Sequence, residues 1–278
     1  MISEMEAATV LDVRGTVIEK KEYLGNRGLE QIIIPPHTEQ IQAWGFAHCK
    51  KLRTVYIPKT ISYIEETAFD GCDALEEIIV YEQDGRTDGF SMECIRTYPT
   101  EGRLLAFGVG HFGDLRQYSL FDFSDMGTES WYARYDKWLV TYVNEDDGKD
   151  FHPFLAGGEE DYEDPSNSID AFCFQKQQEK ILGILYRLSV KKEVQGEEIL
   201  TSYIREHRDG VVAVLQSLRE DSINGVRCLH QYGLLTGENT DVYLGALEGS
   251  LFTETRAYLL WVKDFAVDSD RVWNRFEL

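Results

Sequence analysis

The sequence predicts an α+β protein: a short solenoid of parallel strands, a mixed aromatic-rich junction, and a C-terminal antiparallel helical bundle or short α-solenoid. Three observations predict it. Apolar positions near the start recur every 23 residues. A middle segment concentrates acids and aromatic rings. From about residue 169 the apolar spacing becomes helical. These changes of pattern divide the chain into residues 1–83, 84–168 and 169–278.

The repeat comes first. Leu29, Leu52 and Leu75 occupy one register, as do Ile32, Val55 and Ile78, and Ile34, Ile57 and Val80. Pro35 recurs at Pro58, Ile41 at Ile64, Phe46 at Phe69 and Cys49 at Cys72. A fixed period of this length marks a repeat whose units cannot bury their apolar faces alone and must stack. Each unit opens on a period-2 run that ends at a proline, which reads as a short strand that stops. A single apolar plug follows, Ile41 or Ile64. Then comes a compact turn, Trp44 to Cys49 or Thr67 to Cys72, whose aromatic points inward. A degenerate first unit keeps the spacing with Leu11, Ile18, Tyr23 and Asn26.

The pattern L-x-x-I-x-I-P, then I, then A/G-F-x-x-C-x-x-L, resembles the BspA-type leucine-rich repeat family, also described from treponemal proteins. The resemblance covers residues 6 to 83. It implies a curved stack of short parallel strands, with bacterial surface adhesion and protein binding as the associated roles. The chain departs from the family's usual setting in having few repeats. Met1-Ile-Ser-Glu-Met-Glu also does not read as a secretory signal, because it carries acids and no apolar run.

Five cysteines make an odd count with no close pairing. Cys49 and Cys72 are expected to be reduced, buried neighbours in the stack, while Cys94, Cys173 and Cys228 stand alone. This usage fits a reducing, cytoplasmic compartment. A secreted or surface location follows only if a leader has been removed. No stretch approaches ~18 apolar residues, so no spanning helix is expected.

The net charge of −21 is uneven. Residues 84–175 hold 19 acids against 7 bases, more than half of the excess. Such a field repels phosphate backbones and anionic lipid and favours basic partners or cations. The same segment carries 17 of the 34 aromatics, so it is not a disordered tail. Its elements are read as a strand over Arg103–Phe107, a further alternating run from Asp114 to Phe123, and a helix with Trp131, Tyr135, Trp138 and Tyr142 on one face.

Helical stripes follow. They are Ile181 to Leu188, Ile199 to His207, Val211 to Leu218, Ile223 to Tyr232, Val242 to Leu247, and Ala257, Leu260, Trp261 and Phe265. Breaks are expected at 195–196, 208–210, 221–222, 233–238 and 249–253. Loops this short join helices packed antiparallel, and 209–232 and 239–264 each read as a hairpin.

Chemical signatures are sparse. Gly108-Val-Gly110-His-Phe-Gly113 has the G-x-G-x-x-G spacing, but a dinucleotide site needs a helix to open directly after it. The run that follows alternates like a strand, so a glycine-rich hairpin is expected. The acidic run from Gly157 to Asp164 lacks calcium-loop spacing. Asp161, Glu163 and Asp164 are the cation ligands if one binds there. Asp122 and Asp125 are a carboxylate pair with no further catalytic context. No zinc, hydrolase or phosphate-loop motif is present. No catalytic residue and no cofactor are expected.

The sequence therefore reads as a non-catalytic interaction module or scaffold presenting the exposed strand face of the repeat. Its partner is an unknown protein with a basic surface; neither nucleic acid nor a membrane span is expected. The alternatives are a bacterial surface-adhesion protein, or an enzyme with a site in the aromatic middle segment.

Overall fold

The computed structural model describes residues 8–65, 67–83, 95–110, 115, 117–149 and 168–273. Two compact units divide the chain: Met1–Trp138 with Lys192–Gln195, and Leu139–Lys191 with Gly196–Leu278. The acidic candidates Asp161, Glu163 and Asp164, and Cys94, lie outside the described residues.

The first unit starts as a parallel-strand solenoid of about three turns. Strands β1 (Thr9–Val10), β3 (Gln31–Ile33), β5 (Thr54–Pro58) and β7 (Glu77–Gln83) pair in parallel order. Thr9, Ile32, Val55 and Ile78 are successive partners, so the 23-residue sequence period is the ladder itself. Ile32, Ile34, Leu52, Val55, Ile57, Ile78 and Val80 are buried in the solenoid interior, with Leu29 at its margin. The apolar plugs are more than plugs. Ile18, Ile41 and Ile64 end β2 (Val17–Ile18), β4 (Gln40–Ile41) and β6 (Tyr63–Ile64), a second parallel sheet in the same register. Pro58 is the last residue of β5, opposite Tyr81, so the strand ends at its proline as read.

The turns stack as the period requires. Tyr23, Phe46 and Phe69 form a column with ring centroids 5.2 Å apart at both steps. Cys49 and Cys72 are free and buried beside it. Each thiol donates to the carbonyl of the aromatic one rung back, Cys49 to Tyr23 at 3.2 Å and Cys72 to Phe46 at 3.1 Å. The hydrogen bond with Cys49, and then burial, push the Cys72 thiol well above its ordinary range. On the outside, charges pair across one period: Lys50 with Asp73 at 2.5 Å, Arg53 with Glu76 at 2.9 Å, and Lys59 with Glu82 at 3.4 Å.

Beyond the repeat, β8 (Ile95–Thr97) turns back to pair antiparallel with β7. The expected strand over Arg103–Phe107 is instead part of helix α1 (Pro99–Gly110). Leu104, Leu105, Ala106 and Phe107 are all buried, and a short run apolar on every side does not distinguish strand from buried helix. Proline suits the first helical position, where its missing N–H is not needed. Gly102 lets α1 lie directly on β7: a Cβ there would sit 1.6 Å from the Ile78 carbonyl oxygen. Gly108 and Gly110 end this helix rather than forming a hairpin. Nor is the run from Leu115 to Phe123 a strand; its described residues form turns leading into a short 3₁₀ segment, Phe123–Asp125.

Helix α2 (Glu129–Asn144) forms as its spacing predicts and buries Trp131, Tyr135, Trp138 and Tyr142. The second unit continues with α3 (Ile169–Leu188), α4 (Glu197–Glu206), α5 (Arg208–Leu218), α6 (Ser222–Gln231), α7 (Thr240–Ala246) and α8 (Thr253–Trp273). The α3 helix starts where expected, with the Ser168 hydroxyl accepting from the Ala171 N–H at 3.1 Å. Arg208 to Gly210 is the first turn of α5, not a break. The stripe assigned to α8 is reversed. Thr255, Leu259 and Val262 are buried, whereas Ala257, Leu260 and Trp261 are exposed. Among the described residues no helix is long and apolar enough to cross a membrane.

Candidate functional site

The expected interaction surface, the outer face of the strands, is largely closed. Ile33, Tyr56, Ile79 and Tyr81 form a buried cluster there, with Ala8 packed against it. These are the intervening positions of the alternating run, and their apolar character gives the sheet two hydrophobic faces. Tyr81 is anchored by its hydroxyl, which donates to the Ile34 carbonyl at 2.5 Å, and burial raises its pKa.

A cleft of about 1080 Å³ opens instead on the flank of the repeat unit, between the turn at 58–64 and the segment 117–124. The repeat supplies Pro36, Pro58, Ile61, Tyr63, Ile64 and Tyr81; the other wall supplies Phe121 and Phe123. Polar groups include Lys59, Ser62, Glu82, Gln117, Ser119, Asp122 and Ser124.

Both walls are held. The Thr60 hydroxyl lies 2.9 Å from the Pro36 carbonyl and 2.8 Å from that of Thr38, which ties the turn to the rung before it. The opposite wall is braced by α2. Arg134 makes a two-pronged pair with Asp125, each contact 2.7 Å, and the Trp131 indole N–H donates to the Leu120 carbonyl at 3.3 Å. Tyr132 donates to Glu101 on α1 at 2.6 Å.

The carboxylate pair noticed in the sequence is present, and each member is tied to a hydrogen-bond donor. The Asp122 Oδ1 accepts from the Ser124 hydroxyl at 2.6 Å and its N–H at 3.1 Å, and these bonds lower its pKa. The Arg134 guanidinium lowers that of Asp125. Both groups are thus held ionised, whereas general acid catalysis needs a carboxyl raised toward neutrality. Only Asp122 lines the cleft. The cleft as a whole could not be read from the sequence, because its walls come from separate segments of the chain and its strand-like wall segment is irregular.

The remaining sequence candidates are not gathered there. Cys173 and Cys228 lie in the second unit as free thiols, and burial pushes Cys228 up to about 12. Among the described residues no three His, Cys, Asp or Glu side chains form a group able to hold a metal.

The repeat can now be compared with known families. Residues 15–94 match the family described as BspA type leucine rich repeat region (6 copies). The N-terminal region is a BspA-type leucine-rich repeat. The match begins inside the degenerate first unit and runs past the last one read in the sequence. A match to this repeat family over the N-terminal region suggests a protein-interaction module. No curated protein and no solved structure matches the chain.

Proposed function

We propose that this protein is a non-catalytic interaction module or scaffold, and that the cleft on its repeat unit is where a protein partner with a basic surface docks. One observation carries the reading: a cleft with an apolar floor and a polar, net acidic rim lies on a repeat of an interaction family. Pockets of this kind, mostly apolar with a few placed polar groups, are the default binding-site hypothesis. The lowered pKa of Asp122 disfavours it as a general acid in the cleft.

The test is capture of partners from the source cell by the whole protein and by Ser62→Trp, which puts an indole into the cleft from an exposed position. The expected outcome is a specific partner lost with Ser62→Trp and weakened by salt. A partner retained equally by both proteins overturns the cleft as the docking site. Turnover of a small molecule by the purified protein overturns the non-catalytic reading.

A further inference from the structure

We propose that the cleft takes an extended polypeptide segment in which a large apolar side chain stands next to lysine or arginine. This inference rests on the cleft being the docking site for a protein. The floor and walls are apolar, with Ile61, Tyr81, Phe121 and Phe123 among their residues. The rim is not electrically balanced. Lys59 and Glu82 face each other at 3.4 Å and cancel. The Asp122 carboxylate is a further negative charge. Both hydrogen bonds that Ser124 donates to it go to Oδ1, and among the described residues none donates to Oδ2. A cationic side chain at the rim therefore gains a charge-assisted hydrogen bond, for which a carboxylate oxygen is available.

The geometry of an extended chain fits this arrangement. Successive side chains of a strand point to opposite sides. One side chain then enters the apolar floor while its neighbour reaches the rim at Asp122. Ser62, Gln117 and Ser119 stand exposed along the walls, where main-chain amides of such a segment would run. An acidic segment would instead meet a rim of like sign, and charge patterns across an interface mainly exclude wrong partners and steer right ones.

A displayed library of random seven-residue peptides, panned against the whole protein, tests the proposal. Enriched peptides are then measured by fluorescence anisotropy against wild type, Ser62→Trp, Gln117→Trp and Asp122→Asn. Asparagine keeps the capping oxygen, so the local turn survives. The expected result is enrichment of a large apolar residue adjacent to lysine or arginine. Either tryptophan variant should lose binding by roughly tenfold or more, the scale of one obstructed contact. Asp122→Asn should weaken basic peptides several-fold and flatten their salt dependence. Enriched peptides that are acidic or uncharged, yet blocked by both tryptophans, overturn the inference and leave the docking site standing. Peptides indifferent to both tryptophans, or no enrichment at all, overturn the docking site and the inference together.

Discussion

The two units hold themselves together in different ways. In the repeat, a core contact has a twin one rung away. The Tyr23–Phe46 step is repeated as Phe46–Phe69 at the same 5.2 Å, and the Cys49 thiol bond is repeated at Cys72. In the helical unit contacts are single. Lys180 is fully buried on α3, where it donates to the Glu145 carbonyl at 2.5 Å and pairs with Asp147 at 2.6 Å. Asp147 also accepts from Gln177 at 3.1 Å and from the Tyr203 hydroxyl at 3.3 Å. Burial, with the Asp147 charge second, raises the pKa of Tyr203. The difference teaches where damage spreads. A solenoid lesion is shared with nearest neighbours only, whereas loss of a hub such as Lys180 strands several groups at once.

Phe46→Ala gives the largest expected effect, since the ring is buried and stacked on both sides. It should cost about 3–5 kcal/mol in urea denaturation. Tyr23→Ala, at the end of the column and only partly buried, should cost less. Equal costs would break the nearest-neighbour picture. Lys180→Ala should cost about 3 kcal/mol, the low end for removing one partner of a buried pair, because Asp147 keeps 18% exposure. The double variant Lys180→Met with Asp147→Leu should recover part of that loss. If it is worse than the single variant, the ion pair itself and not its broken half is the stabilising element.

The next effect is a pH dependence in the first unit. The folded pKa of Asp125 is lowered by its hydrogen bonds from Arg134. The pair therefore contributes stability that is fully present above the unfolded value of about 3.9 and is lost as pH falls through the lower folded value. Arg134→Ala should remove this part of the acid limb in denaturation curves taken from pH 5 downward. An unchanged acid limb would show that the pair is too exposed to matter. The smallest effect belongs to the rung-to-rung charges. Arg53 and Glu76 are 60% and 64% exposed, so Arg53→Ala should cost only about 0–1 kcal/mol, and less still in high salt.

The same contrast explains what could be read beforehand. Leu52, Val55, Ile57 and Phe69 were legible because each position is stated again one period away, and the residue type must suit every copy. The two-residue strands of the second sheet were not, because Ile18, Ile41 and Ile64 offer one apolar residue each and no alternation. Leu104 to Phe107 misled because a helix buried on all sides has lost its period. The α8 stripe misled because the helix has two apolar stripes, and Leu260 and Trp261 are as apolar as Leu259 and Val262. Of the candidate site, only Asp122 was visible. Its partners across the cleft, Ile61 and Tyr81, read as ordinary repeat residues, and only folding places them opposite Phe121.

The antiparallel return of β8 bears on a hazard common to stacked strands. A parallel ladder presents the same evenly slanted bonds at each step, so its open end is a template for another chain's first rung. Head-to-tail addition of that kind does not close on itself and grows into fibres. A very short edge strand offers an incoming chain few unpaired backbone groups. The chain ends its own ladder on β8, a reversed strand of only three residues, so the edge left for copies of itself is a short template.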